Sequence, residues 1–363
     1  MLEELVAAFE RKDYRTAAQL LKQLAKQEPQ NPWVQFYIGR LYEVTDKLDA
    51  AETAYRDLLR GTTNTKVMAQ ARQGLQRLEK IAQQRRQQAL ADATADPSNA
   101  EQGVLVLEPI SSELKQAAAQ KFARIMQLDP YSARLQLPSR GWRLYRVGAI
   151  GELRFYTQQL QQADIPNFSV SITNLDKINV FSIDYFQSAA PQATVVCHNE
   201  HKQLGSLVFN WSEVTQRVEG LLPIFEQVVD QDARGKLQRK TKILDYVKFC
   251  DLHLPARRSI LRLCDRNYQY MQGVDLSPTT EANQPLSQTT ARENWSNFLN
   301  FLNQQLPQTP VWSDFTPFAE TALGETELLR RIKSHIALFR REETLWDQAF
   351  QLYSGLIFLR TTS

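Results

Sequence analysis

The clearest pattern of apolar and polar positions runs from Trp33 to Leu59. Gly39 and Tyr42 fall on one face of a first helix, Asp46, Lys47, Leu48 and Asp49 interrupt it, and Ala51, Tyr55 and Leu58 then recur at helical spacing. Apolar residues three and four apart share one helix face, so the stretch predicts two antiparallel helices, with Gly39 and Ala51 small where the helices touch. Leu5, Ala8, Ala17 and Leu21 stand 34 residues before Gly39, Tyr42, Ala51 and Tyr55, which makes the pattern a repeat. Pro29 closes the first unit, because proline cannot continue a helix. A third unit fades. Arg85 and Gln76 stand where the small and aromatic residues belong, yet Met68, Ala71, Leu75, Leu78 and Ala82 predict an amphipathic helix that caps the stack.

Beyond the repeats the periodicity changes. Ile81 to Gly103 turns to Gln, Ala, Asp and Asn and predicts a solvated helix end running into a flexible joint. Ser112 to Gln127 predicts a helix that stops at Asp129-Pro130, and Gly141 to Val147 alternates at period two as a strand does. A turn at Gly148 to Gly151, a helix through Leu153, Tyr156 and Leu160, and a strand from Phe168 to Ile172 complete one strand-helix-strand unit. Ile178 to Phe186, Thr194 to Cys197 and Leu207 to Phe209 read as further strands. Trp211 to Val229 reads as a helix capped by Ser212, and Tyr246 to Leu254 with Ser259 to Met271 as a hairpin across Pro255. Asp275 to Glu293, rich in Ser, Thr, Pro and Gln, predicts a linker or surface loop. Asn294 to Leu306 is a helix with Trp295, Phe298 and Leu302 on one stripe, and a long final helix is expected from about Glu325 to Leu359, with His335 at its core boundary.

The expected architecture is α+β and multi-domain: N-terminal helical hairpins over 1–92, a linker over 93–103, a mixed α/β domain over 104–274, a linker or loop over 275–293 and a C-terminal helical region over 294–363. The N-terminal residues Gly39, Tyr42, Ala51 and Tyr55, with the degenerate first unit holding Ala17 and Pro29, resemble tetratricopeptide repeats. The whole arrangement also resembles tetratricopeptide-repeat proteins of cyanobacterial type with no assigned activity. That resemblance implies a groove, lined by the first helix of each unit, that holds a peptide or helix of another protein. In this chain the groove would comprise Phe9, Trp33, Phe36, Arg40 and Glu43. Phe36 and Arg40 replace the Asn and Lys with which some members clamp a terminal carboxylate, so the resemblance points to an apolar helix or extended peptide instead.

Composition narrows the class. At 363 residues, 43% apolar and 23% charged, with a formal net charge of +3, the chain is an ordinary globular protein long enough for two or three cores. The opening MLEELVAAFERKDY carries acids where a signal peptide needs bases, and no run of apolar residues is long enough to span a membrane. Three cysteines make no disulfide framework. A cytoplasmic location is expected.

Candidate chemistry is sparse. Basic residues crowd Arg234 to Arg266: Arg234, Lys236, Arg239, Lys240, Arg257, Arg258, Arg262 and Arg266 suit an anionic partner, an acidic protein or a membrane surface, and Arg143 and Arg146 extend the patch if their strand is a neighbour. Aromatic residues are not interleaved to stack bases, so nucleic acid is not the expected partner. Cys197, His198 and His201, with Cys250, His253 and Cys264, are zinc-accepting types at spacings that match no zinc module, so no metal and no cofactor are expected. No G-x-S-x-G, Walker A or H-E-x-x-H motif occurs. The expected function is a non-enzymatic protein-protein interaction adaptor or scaffold; an RNA-binding accessory and an enzyme of unrecognised type are the alternatives.

Overall fold

The computed structural model describes residues 1–231, 237–276, 290–340 and 344–362. The chain divides into two compact units, Met1–Asp92 and Ala93–Ser363.

The first unit is built from α1 (Leu2–Glu10), α2 (Tyr14–Gln27), α3 (Pro32–Val44), α4 (Leu48–Gly61) and α5 (Thr65–Thr94). Asp13 and Asn31 cap α2 and α3 by accepting the Thr16 and Trp33 N–H groups, and Pro32 opens α3 at a position where its missing N–H is no loss. The repeat is visible in the backbone. Lys12 and Asp46 both adopt positive φ, 59° and 64°, and the residue after each donates to the carbonyl five back, Asp13 to Ala8 and Lys47 to Tyr42, both at 2.9 Å. Leu5, Ala8, Ala17, Leu21, Leu24 and Val34 form one core, and Phe36, Ala51, Tyr55, Leu58, Val67, Ala71 and Leu78 a second. No hairpin turn interrupts α5. Its inward stripe is Val67, Ala71, Gly74 and Leu78, so the capping helix is turned from the expected face: Ala82 is exposed and Leu75 lies at the margin.

The second unit contains two sheets. β1 (Gln102–Leu107) is followed by α6 (Lys115–Met126), α7 (Pro130–Gln136), β2 (Arg143–Ala149), α8 (Ile150–Gln162) and β3 (Asn167–Ser171), and the strands pair antiparallel in the order β2-β1-β3. Then come β4 (Asn179–Ser188), β5 (Ala193–His198), β6 (Leu204–Phe209), β7 (Gln216–Gln231), β8 (Leu237–Leu254) and β9 (Ser259–Cys264). After them follow α9 (Ala291–Gln305), β10 (Val311–Trp312), α10 (Phe315–Ala322), α11 (Thr326–Leu329) and α12 (Leu345–Thr362). The larger sheet runs β10-β7-β8-β9-β4-β5-β6, antiparallel except for the parallel pairs β4 with β9 and β10 with β7.

At its centre the larger sheet is buried on both faces, by alternation along β8. Cys250, Leu252 and Leu254 of β8 face a core shared with Trp295, Phe298 and Leu302 of α9. Val247 and Phe249 face the opposite core, shared with α10, α12 and the β1-β2-β3 sheet through Phe315, Phe350, Tyr353, Val104 and Trp142. The C-terminal helices therefore pack into the same unit as the sheets. At Gly220 of β7 the α12 side chains press on the strand: a Cβ there would lie 2.4 Å from the Phe350 ring.

Several expectations are corrected. Residues 93–103 are not a loose joint, for the Pro97–Ala100 turn leads directly into β1, which pairs on both sides. Asp129-Pro130 stops one helix and starts another: the Asp129 carboxylate accepts the Tyr131 and Ser132 N–H groups, capping α7. Trp211 to Val229 is not a helix. Only Trp211–Glu213 turns, and from Gln216 the chain is strand. Leu221-Leu222 and Val228-Val229 supply both faces of a ribbon, which mimics helical spacing. Pro223 is tolerated because among the described residues β7 has no second neighbour at that point, its pairing with β10 covering only Arg217 and Val218. The long terminal helix is broken, because Arg330 to Arg340 leave helical geometry, with His335 at φ 53°, and helix resumes at Leu345.

Candidate functional site

In the first unit the candidate residues are positioned around Tyr55. Its ring lies between the backbones of Gly39 on α3 and Gly74 on α5, where an added Cβ would come within 2.6 Å and 2.5 Å of ring carbons. Its hydroxyl donates to Glu43 at 2.7 Å, and Arg77 donates to both Glu43 oxygens at 2.7 and 3.1 Å, while Arg40 reaches the same carboxylate at 3.0 Å. Burial works to raise the Glu43 pKa, but Arg77, Tyr55 and Arg40 outweigh it and hold the carboxyl below its ordinary range. Burial first and the Glu43 carboxylate second push the Tyr55 phenol up. Glu43 is thus a clamp that ties α3, α4 and α5 together.

Phe36 is buried at 4% exposure and packs on Tyr55 with ring centroids 5.9 Å apart, which makes it a core residue and removes it from any groove wall. Phe9, Trp33 and Arg40 stay half-exposed. Tyr37, absent from the sequence-derived set, joins them: its ring lies 5.0 Å from Phe9 and 6.5 Å from Trp33 and bridges the two cores. Its place one residue beyond the buried Phe36 on α3 was the available signal.

The expected basic patch does not form as a whole. Arg262 is 2% exposed and donates through Nε and Nη2 to the Asp251 carboxylate at 2.9 and 2.7 Å, because the β8-β9 register sets the two residues opposite each other. Arg257 is spent on Glu213 at 2.6 and 2.8 Å, and Arg266 pairs with Asp245. Arg143 and Arg146 belong to the smaller sheet. Arg234 and Lys236 lie outside the described residues, leaving Arg239 and Lys240 exposed on the β7-β8 ribbon and Arg258 on the turn before β9.

The cysteines and histidines are dispersed. Cys197 and Cys250 face the α9 side of the larger sheet and Cys264 the other, and among the described residues no group of three or more His, Cys, Asp and Glu is placed to hold a metal ion. Burial raises all three thiols, Cys264 to about 11, so they stay protonated. His253, Ser354 and Asp251 touch in the core without forming a nucleophilic relay. The Ser354 hydroxyl donates to Asp251 Oδ2 at 2.6 Å and so accepts from His253 Nε2 at 3.0 Å, the reverse of what an activating base requires. Burial pushes His253 down to about 4, and its Nδ1 has no hydrogen-bond partner among the described residues. Gly148 and Gly151 precede no anion site, since the Ile150 N–H donates to the Glu101 carbonyl at 2.7 Å and Asn99 packs against Gly151. Among the described residues no helix is long and apolar enough to cross a membrane.

No curated protein and no solved structure matches the chain. Residues 8–68 match the family model for the tetratricopeptide repeat, and together with the paired helices and their repeated turns this makes the N-terminal unit tetratricopeptide-repeat-like, a kind of module that serves protein-protein interaction.

Proposed function

We propose that this chain is a non-enzymatic adaptor whose N-terminal hairpins hold a peptide or helix with an apolar face from another protein. The observation that carries the reading is the row of half-exposed rings on α1 and α3, Phe9, Tyr37 and Trp33, with Arg40 one turn beyond Tyr37. Tyrosine and tryptophan offer large contact areas at small entropic cost and dominate the energetics of protein interfaces. The family match over residues 8–68 supports the same reading. A second, anionic partner, an acidic protein or a membrane surface, would meet Arg239 and Lys240, exposed on the β7-β8 ribbon, and Arg258, exposed on the turn before β9.

The test is co-purification of the full chain from an extract of its native cells, with and without nuclease, alongside Trp33→Ala and Phe9→Ala. The adaptor reading expects a discrete protein partner that survives nuclease and is lost in the variants. A partner retained by both variants overturns the docking surface, and one lost on nuclease treatment replaces the reading with RNA binding.

A further inference from the structure

We propose that the second unit binds a small organic anion with an apolar body, in a cavity over the larger sheet beneath the segment Lys333 to Ala337. This stands apart from the N-terminal docking surface and does not depend on it.

The cavity follows from the strand pairing. The parallel ladder of β4 and β9 ends at Ser182 opposite Arg262, and β4 then bulges, with Asp184 as the residue left out of register against β5. A bulge re-aims a side chain. Asp184 here reaches His198 on β5, Oδ1 to Nδ1, at 3.1 Å. Where the ladder stops, a cavity of about 550 Å³ opens, within the range of sites that hold small molecules. Val180, Phe249 and Cys264 give it an apolar floor.

The roof is an irregular strap held by three specific bonds. Arg262 Nη1 donates to the Ser334 carbonyl at 2.7 Å, Asn267 Nδ2 to the Ala337 carbonyl at 2.9 Å, and Lys333 Nζ to Glu200 Oε2 at 2.7 Å. Within it His335 lines the cavity from a left-handed backbone, φ 53°, a conformation that costs a non-glycine residue energy and persists only where its surroundings enforce it.

The charge pattern selects the ligand. Among the described residues each carboxylate near the cavity is already engaged: Asp184 with His198, Glu200 with Lys333, and Asp251 behind the wall with Arg262. Burial, and then the positive charges of Arg262 and Lys333, hold the His335 imidazole neutral. An anion entering there meets the Lys333 ammonium and the neutral His335 imidazole, each with an N–H to donate. A metal ion has no cage, since no three ligating side chains converge among the described residues. The apolar floor asks for a hydrocarbon or aromatic body behind the charged group.

Calorimetric titration of the full chain tests this with three probes: benzenesulfonate, benzenesulfonamide, which keeps the ring without the charge, and inorganic sulfate, which keeps the charge without the ring. Benzenesulfonate is expected to saturate one site per chain and to bind at least about tenfold more tightly than either control, a difference of about 1.4 kcal/mol. Lys333→Met and His335→Asn should each weaken it about fivefold or more. The His335 side chain makes none of the three strap bonds and asparagine accepts a left-handed backbone, so His335→Asn tests the site without loosening the roof, and circular dichroism confirms that both variants fold. No saturable binding of benzenesulfonate, equal binding of the sulfonamide or of sulfate, or unchanged binding in both variants overturns the proposal.

Discussion

Tyr55 is trapped between two helices, and a methyl group placed on Gly74 exposes how tightly. The new Cβ would lie 2.5 Å from Cε2 and 2.6 Å from Cζ, while the opposite edge of the ring already meets Gly39 and the hydroxyl is tied to Glu43 at 2.7 Å. The ring cannot withdraw from one side without striking the other. Overpacking of this kind costs about 1–3 kcal/mol, and the trapped ring puts Gly74→Ala toward the upper part of that range. Alanine in a helix interior returns about 1 kcal/mol over glycine, so the net loss is about 1–2 kcal/mol. In a Tyr55→Leu background the outer ring atoms are gone and the same Gly74→Ala change should stabilise by up to about 1 kcal/mol. Hydrogen-deuterium exchange of the full chain reads the effect over α3, α4 and α5, where a loss of 1–2 kcal/mol speeds exchange roughly 5–30-fold. If Gly74→Ala slows exchange in the wild-type background, or if the sign does not reverse beside Tyr55→Leu, the packing argument is wrong.

Three further outcomes follow from the core and the clamp. His253 has a folded-state pKa of about 4 against 6.5 for the ordinary side chain, so the unfolded chain takes up a proton that the folded one refuses. Its stabilising effect is complete well above pH 6.5 and is lost as pH falls, by about 1.6 kcal/mol between pH 6.5 and 5; urea midpoints across that window should decline, less steeply in His253→Gln, and a flat profile would contradict the assignment. Arg262→Met strands Asp251 in the core and should cost about 3–5 kcal/mol, much of it recovered in the double variant with Asp251→Leu; a single-variant loss below about 1 kcal/mol in chemical denaturation would show that the pair is not desolvated. Tyr55→Phe keeps the ring and removes its bond to the charged Glu43, a loss of about 1.5–3 kcal/mol readable in the same exchange experiment. No change in exchange there would place Glu43 outside the clamp.

How far the sequence could be read depended on whether the deciding contact was local. Ala51, Tyr55 and Leu58 were legible because helical spacing and the 34-residue offset both act along the chain, and all three are buried in the structure. Gly74 was not, since it stands outside that offset and its role exists only because Tyr55 reaches across from α4. Alternation in β9 correctly placed Arg262 on one strand face. That the face is internal depended on Asp251 arriving in register from β8, which no spacing within β9 records. β7 imitates a helix in sequence because its central residues are apolar on both faces, and doubled Leu and Val match helical spacing. The cavity under the strap was invisible for the same reason, being assembled from β4, β5, β8, β9 and the segment after α11.

The docking surface itself is tested most directly by placing a photo-crosslinking benzoylphenylalanine at Trp33 of the full chain and irradiating it in native extract, with the same group at the exposed Lys80 of α5 as control. The account predicts a discrete adduct to a segment of another protein from position 33 and none from position 80. Adducts confined to this chain's own residues, or equal yield from both positions, would contradict it.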